Sequence, residues 1–204
     1  MKKESVDTEL AELIESVRMC RLCEKSLPLG PRPVLQVDSR ATILIAGQAP
    51  GRRVHESGVP FDDPSGDRLR DWLGITRDVF YDASKVAILP MGFCYPGTGK
   101  SGDLPPRPEC EPAWRQQLLD RLENIELTLV IGLYAQKSHL PNAKKNLTET
   151  VRAWKEFDRG MIPLPHPSPR NNIWLKKNPW FTESLLPHLR RSTRRALAVN
   201  RGAR

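Results

Sequence analysis

Residues 41–61 read ATILIAGQAPGRRVHESGVPF, a short apolar run that passes directly into a loop rich in glycine, proline and arginine. The apolar part is continuous rather than alternating, which is typical of a strand buried on both faces of a parallel sheet. Glycine and proline after such a run predict a tight turn where the strand ends. The stretch therefore predicts a buried strand and a loop that brings a histidine, a glutamate and a phenylalanine back towards it.

Similar apolar runs recur along the chain and are separated by segments with helical spacing. KVAILPMGF (85–93), ELTLVIG (126–132) and GMIPLP (160–165) predict further strands. Helical patterns predict helices over residues 7–19, 65–74, 109–125, 133–140, 148–158 and 180–199, the last with a kink at Pro187. Strands that alternate with helices predict an α/β sandwich with a mainly parallel central sheet.

Two segments rich in glycine or proline directly follow the first and last predicted strands. They are GQAPG (47–51) and HPSPRN (166–171). Sheets of this type bind ligands in the crevice outside the carboxyl ends of their strands, so we expect both segments at a ligand site. The chain has no internal repeat and no clear linker, which predicts a single domain over residues 1–204 with a basic C-terminal helix or tail from about residue 181.

The chain of 204 residues (23.1 kDa) has a net charge of +8 and a pI near 9.6. A basic balance favours a polyanionic partner, because such binding releases counterions. Much of the excess charge lies in HLRRSTRRALAVNRGAR (188–204), and a solvated terminal helix would explain it equally well. No apolar run is long enough to cross a bilayer and the start has no signal-peptide pattern, so we expect a cytoplasmic protein.

The four cysteines form a spaced set. Cys20 and Cys23 make a Cys-x-x-Cys after the first predicted helix, Cys94 ends the second predicted strand, and Cys110 begins a predicted helix. In a cytosolic chain these residues are expected to be reduced thiols, and four thiolates suit either tetrahedral zinc or a [4Fe–4S] cluster. Four ordinary buried cysteines, or a redox Cys-x-x-Cys, are the alternatives, and the spacing alone does not separate zinc from a cluster.

GQAPG after a strand, GVPF (58–61) and HPSPRN after the last strand resemble the motifs of the uracil-DNA glycosylase superfamily. The cysteine spacing is similar to that of its iron–sulfur class, often called family 4, whereas HPSPRN looks more like the single-strand-selective class. The resemblance runs from about residue 20 to about residue 180. It implies a three-layer sandwich with a four-stranded parallel sheet, a [4Fe–4S] cluster in preference to zinc on Cys20, Cys23, Cys94 and Cys110, and a monomer that binds DNA and no membrane.

The resemblance also implies an activity, the removal of a damaged base, uracil above all, by hydrolysis of its N-glycosidic bond to DNA. The base is flipped out of the duplex into a pocket that stacks it on an aromatic ring. His166 matches the histidine that donates a hydrogen bond to the base oxygen as charge develops there. By the same resemblance, the base and sugar are expected to contact Gly47, Ala49, Pro50, Gly51 and Phe61. The DNA minor groove and phosphates are expected to contact Ser168, Pro169, Arg170 and Asn171.

The first motif departs from the iron–sulfur class at Gln48, where that class has glutamate. A carboxylate that would stabilise the cationic sugar or orient water is therefore absent from this position. Gln48 can still hold a water, and we expect a carboxylate from Glu56, Asp62 or Asp63 nearby.

Two further departures concern acid–base chemistry and base recognition. Val54 and His55 replace an acidic pair, which makes His55 a candidate acid, base or phosphate contact, or an exposed loop histidine. Pro90 replaces the asparagine that reads the uracil edge, and it has neither a side-chain amide nor a backbone N–H. The sequence therefore also leaves open a glycosylase for another deaminated base, or a protein that binds DNA lesions with weak or no hydrolysis.

Overall fold

The computed structural model describes residues 2–100, 102–157 and 160–199, with side chains from residue 7 onward. Its main sheet consists of β1 (Ile43–Ala46), β2 (Val86–Ile88), β5 (Leu127–Ile131) and β6 (Met161–Leu164), in the order β2-β1-β5-β6 and with every pair parallel. The predicted α/β fold with a four-stranded parallel sheet is confirmed. A short antiparallel hairpin, β3 (Thr98–Gly99) and β4 (Gly102–Asp103), was not predicted.

The helices lie between and after these strands. They are α1 (Lys2–Arg18), α2 (Arg52–Ser57), α3 (Pro64–Leu73), α4 (Arg77–Tyr81), α5 (Gln116–Leu119), α6 (Gly132–His139), α7 (Leu147–Arg152), α8 (Asn172–Lys177) and α9 (Leu186–Val199). Wider π-helical turns over Glu111–Arg115 and Phe181–Leu185 lead into α5 and α9, and 3-10 turns cover Glu24–Ser26, Trp154–Glu156 and Pro169–Asn171.

Two predicted helices differ in detail from the observed ones. The helix predicted over 109–125 opens in a π-helical turn that contains Pro112, and it is shorter because α5 ends at Leu119. In the last helix the π-helical turn stands immediately before α9, whose second residue is Pro187. The tail beyond residue 199, and residue 158 of the helix predicted over 148–158, lie outside the described residues.

The sheet is covered on both faces, as its mainly apolar strands require. Ile43 and Ile45 face a cluster formed by α3, α4, α7 and α9, whereas Leu44 faces a second cluster formed by α1 and α5. These layers make a three-layer sandwich. Among the described residues, no helix is both long and apolar enough to span a bilayer.

The carboxyl ends of the parallel strands bring separate loops to one edge of the sheet. The backbone N–H groups of Met91 and Gly92 donate to the carbonyls of Gly47 and Gln48 at 2.9 and 3.0 Å, which joins the loop after β1 to the loop after β2. The HPSPRN segment follows β6 at the same edge. The fold thus assembles a site from segments far apart in the chain.

Candidate active site

A cavity of about 430 Å³ opens at this edge of the sheet. Its walls include residues 47–51, the ring of Phe61, His166 and residues 168–170. The structure therefore gathers most of the residues selected from the sequence into one hollow. We refer to residues 47–51 as the first loop and to residues 168–170 as the second loop.

Phe61 has a strained backbone. Its φ of 54° lies in the left-handed region, which is unfavourable for a bulky side chain and is concentrated at functional sites. A Cβ at Gly47 would lie 3.8 Å from Cζ of Phe61, so the ring lies beside the first loop. The ring also packs edge-on against Phe80, with 6.1 Å between centroids.

Helix α3 holds Phe61 in this conformation. A Cβ at Gly66 would lie only 1.8 Å from the carbonyl oxygen of Phe61, so this close approach requires glycine. The carboxylate of Asp63 caps the same helix by accepting a hydrogen bond from the backbone N–H of Gly66 at 2.9 Å. The predicted helix over 65–74 took Ser65 and Asp67 as its capping signal, whereas the observed cap, Asp63, lies two residues before Ser65.

His166 lies two residues after the end of β6 and lines the cavity. Its carbonyl oxygen accepts a hydrogen bond from the Asn171 side chain at 2.7 Å, which fixes the start of the segment. Burial lowers the pKa of His166, and the carboxylates of Asp63 and Asp103 partly oppose that shift. The imidazole is therefore neutral at neutral pH, a form that can donate one hydrogen bond to a ligand oxygen.

Arg68 of α3 holds the second loop. Its guanidinium donates to the carbonyl oxygen of Ser168 at 2.9 Å and to Oδ1 of Asn172 at 2.8 Å. No local feature of the sequence marks this arginine, because it binds a segment a hundred residues away. Asn171, expected at the DNA, instead turns its side-chain amide to the backbone of His166 and does not line the cavity.

The carboxylates near the first loop divide between surface ion pairs and the cavity. Glu56 pairs with Arg52 and Asp62 with Arg77, each at 2.9 Å. Neither of these two candidates for the missing carboxylate lines the cavity. Asp63 does line the cavity, together with a carboxylate that the sequence analysis did not select, Asp103.

Gln48 and Pro90, the positions at which this chain departs from the motifs of the family it resembles, both line the cavity. The Gln48 side-chain amide donates to the carbonyl oxygen of Leu104 at 3.0 Å. This bond ties the first loop to the segment after β4. Pro90, at the end of β2, offers an apolar wall without a side-chain donor or acceptor.

His55 is not in an exposed loop, which corrects one of the sequence alternatives. It lies in α2, is only 8% exposed, and places its ring 6.2 Å from that of Tyr95. Burial and the charge of Arg32 lower its pKa. The ring does not line the cavity, so the structure does not bring His55 to the other expected catalytic side chains.

The four cysteines form no disulfide with one another and come from three segments of the chain. Cys23, Cys94 and Cys110 are buried, and Cys20 is half-buried with its sulfur accepting from Nε1 of Trp114 at 3.1 Å. Burial raises the pKa of the Cys94 thiol to about 12 and that of Cys110 to about 11, and the neighbouring cysteines contribute to both shifts. The four sulfurs are thus close enough to influence one another.

The donor set fits an iron–sulfur cluster. Backbone hydrogen bonding from Arg32 and Phe93 lowers the pKa of the Cys94 and Cys110 thiols, against the larger effect of burial, and so favours the thiolate form that binds metal. Among the described residues, no three histidine, cysteine or acidic side chains are arranged to hold a single metal ion. Four thiolates are a donor set that either a [4Fe–4S] cluster or a zinc ion takes.

The family model for the uracil DNA glycosylase superfamily matches residues 35–190. The match covers more than half of the chain, so the protein belongs to this superfamily. Membership implies a DNA-binding hydrolase of N-glycosidic bonds that acts on deaminated bases. The first loop, Phe61, His166 and the second loop all lie within the match, whereas Cys20 and Cys23 precede it.

Proposed function

We propose that this protein flips a deaminated base, in the first instance uracil, out of DNA and hydrolyses its bond to the deoxyribose. The observation that supports this proposal is the single cavity shared by the first loop, Phe61, His166 and the second loop. A pocket of this kind encloses one extruded nucleotide. The enzyme would be monofunctional, since no lysine is among the described residues that line the site and could attack the sugar.

The base would stack on Phe61, where the absence of a side chain at Gly47 leaves room beside the ring. As the bond to the sugar breaks, its electron pair moves onto the base. The neutral imidazole of His166 then donates to the base oxygen, and a donor placed in this way is worth about 3–4 kcal/mol of barrier. Arg52, Arg53 and Arg170 at the cavity walls offer positive charge to the phosphates on either side.

We further propose the iron–sulfur class, with a [4Fe–4S] cluster held by Cys20, Cys23, Cys94 and Cys110. The cluster would cross-link the end of α1, the segment after β2 and the start of the π-helical turn before α5. Hydrolysis transfers no electrons, so its contribution is structural. The segment it fixes runs from Cys94 to Cys110 and contains the β3–β4 hairpin, which reaches the cavity through Asp103.

A second candidate is a protein of the same fold that binds DNA lesions and hydrolyses them weakly or not at all. Two observations favour it. Pro90 stands in the cavity wall where an amide would read the uracil edge, and Gln48 offers an amide where a carboxylate would act. A site without its hydrogen-bonding reader loses discrimination between bases, so activity on another deaminated base is part of the same question.

Oligonucleotides that contain one uracil, hypoxanthine or xanthine test the proposal, as single strands and as duplexes. Alkali cleaves the abasic sites formed by a glycosylase, and the His166→Ala variant is the matched control. We expect the wild-type protein to release at least one of these bases and the variant to release it far more slowly. Tight binding of these oligonucleotides without release of a base from any of them would favour the lesion-binding alternative and overturn the proposed hydrolysis.

A further inference from the structure

The hairpin β3–β4 places a carboxylate in the cavity wall. Asp103 ends β4, is exposed at the cavity and belongs to none of the ion pairs among the described side chains. Its Oδ1 accepts from the hydroxyl of Thr98 at 3.4 Å, and that hydroxyl shares a 2.6 Å hydrogen bond with the hydroxyl of Tyr95. This chain of contacts orients the carboxylate without neutralising it.

Asp103 lies between the two loops of the site. A Cβ at Gly51 would lie 3.5 Å from its Oδ2, which places the carboxylate beside the first loop. Its neighbour Gly102 approaches the second loop, since a Cβ there would lie 3.8 Å from Nη1 of Arg170. The negative charge of Asp103 also acts on His166 across the cavity.

This position is unfavourable for binding DNA on its own. A carboxylate at the mouth of a cavity that receives a polyanion repels the phosphates that Arg52, Arg53 and Arg170 attract. Its charge becomes favourable only when a positive charge forms close by. A nucleotide that enters base first leaves its sugar nearer the mouth, and the sugar becomes cationic as the bond to the base breaks.

We propose that Asp103 is a catalytic carboxylate, which stabilises the positive charge on the deoxyribose in place of the glutamate that this chain lacks at position 48. The proposal rests on the proposed function. The bond from C1′ to the base breaks and leaves its electron pair on the base, and the charge on C1′ and the ring oxygen faces Asp103. Water then adds to C1′ and loses a proton to solvent, while the released base takes up a proton from solvent.

Two abasic-site analogues in an oligonucleotide test this charge interaction directly. A pyrrolidine is a cationic mimic of the sugar, and a tetrahydrofuran is its neutral counterpart. We expect the wild-type protein to prefer the pyrrolidine, and Asp103→Asn, which keeps the Thr98 hydrogen bond, to reduce that preference about tenfold. Glu123→Gln is the matched control, because it removes the same charge before β5, at the opposite edge of the sheet.

The binding measurement separates this inference from the proposed function. An unchanged preference in Asp103→Asn, or no preference in the wild-type protein, overturns the role of Asp103. A reduced preference in Asp103→Asn, with Glu123→Gln unaltered, supports the role even if the wild-type protein releases none of the tested bases. In that case only the proposed hydrolysis fails. Where a base is released, we expect slower single-turnover release by Asp103→Asn with no loss of affinity for the tetrahydrofuran oligonucleotide.

Discussion

At the scale of single residues, Gly66 and Gly47 both lie beside Phe61, but there is room for a methyl group only at Gly47. Gly66→Ala would place its Cβ against the Phe61 carbonyl, which cannot move freely because its backbone is already left-handed. We expect this change to lower the free energy of unfolding by about 1–3 kcal/mol, although alanine favours a helix more than glycine does. Urea denaturation measures the loss, and an unchanged or greater stability would contradict this account of Phe61.

Gly47→Ala is the matched comparison. Its Cβ would make an ordinary contact, 3.8 Å from the Phe61 ring, so the fold tolerates it. The same methyl group occupies the space where a base would stack. We expect normal stability and weaker binding of damaged DNA in this variant, in contrast to Gly66→Ala.

His166→Ala addresses catalysis alone. The substitution removes the imidazole and leaves the backbone carbonyl that Asn171 holds, so the segment should keep its course. We expect single-turnover base release to fall about a hundredfold or more while the thermal unfolding midpoint changes little. A nearly normal rate would exclude His166 from the mechanism.

Residues with a local signature were predictable and residues that depend on distant contacts were not. Phe61, His166 and the first loop follow strands in recognisable motifs, and the structure places all of them in the cavity. Arg68 and Asp103 carry no such signature. Each becomes part of the site only because folding brings α3 to the second loop, or the hairpin to the first.

At the scale of elements, α3 organises the site from one side. Its N-cap is Asp63, and its fifth residue, Arg68, donates hydrogen bonds to Ser168 of the second loop and to Asn172. Arg68→Ala removes two hydrogen bonds from a charged donor, an interaction class worth about 1.5–3 kcal/mol per bond. We expect faster amide exchange over residues 168–172 and weaker DNA binding, with little change in the exchange of β1 or β5.

Arg68→Lys is the informative companion to this variant. Lysine keeps the charge but cannot reach two acceptors with the planar geometry of a guanidinium. We therefore expect DNA affinity between those of the wild-type protein and Arg68→Ala. Full DNA affinity in Arg68→Lys would show that the charge of Arg68 acts on DNA and that its hydrogen bonds to Ser168 and Asn172 do not contribute to binding.

The segment from Cys94 to Cys110 depends on the proposed cluster. Cys94→Ser removes one of four ligands, and metal binding is coupled to local folding. We expect a colourless protein with well below about four iron atoms per chain, together with rapid proteolysis within this segment. Wild-type protein stripped of iron by a chelator should behave identically. Full iron content in Cys94→Ser would remove that residue from the ligand set.

The elements themselves were predictable where the local pattern was strong. Each strand of the main sheet is apolar except at Thr128 of β5, and α3 begins at a capping residue and ends at a left-handed glycine. The hairpin β3–β4 has neither pattern, because its residues are mostly glycine and polar. The helix predicted over 109–125 forms over residues 110–119, and periodicity does not reveal that its first turn is π-helical.

At the scale of the whole molecule, a buried cation joins three parts of the fold. Arg115 is only 3% exposed, and its guanidinium donates to Nε2 of His139 at 2.6 Å and to the carbonyl oxygen of Leu89 at 3.5 Å. This contact connects the end of β2 with α6 and the turn before α5. Burial and the charge of Arg115 lower the pKa of His139 to about 4, so the folded protein keeps this imidazole neutral.

The Arg115–His139 contact predicts how stability depends on pH. As the pH falls below about 6.5, His139 becomes protonated in the unfolded chain, whereas in the folded protein it stays neutral down to about pH 4. The unfolded state is therefore stabilised relative to the folded state as the pH falls through this range. Between pH 7 and pH 5 this loss amounts to about 2 kcal/mol. Urea denaturation at both pH values, in the wild-type protein and in His139→Gln, measures it. The glutamine oxygen still accepts from Arg115 and does not titrate, so the variant should lose about 2 kcal/mol less than the wild-type protein, and an equal loss in both would assign the acid sensitivity to other groups.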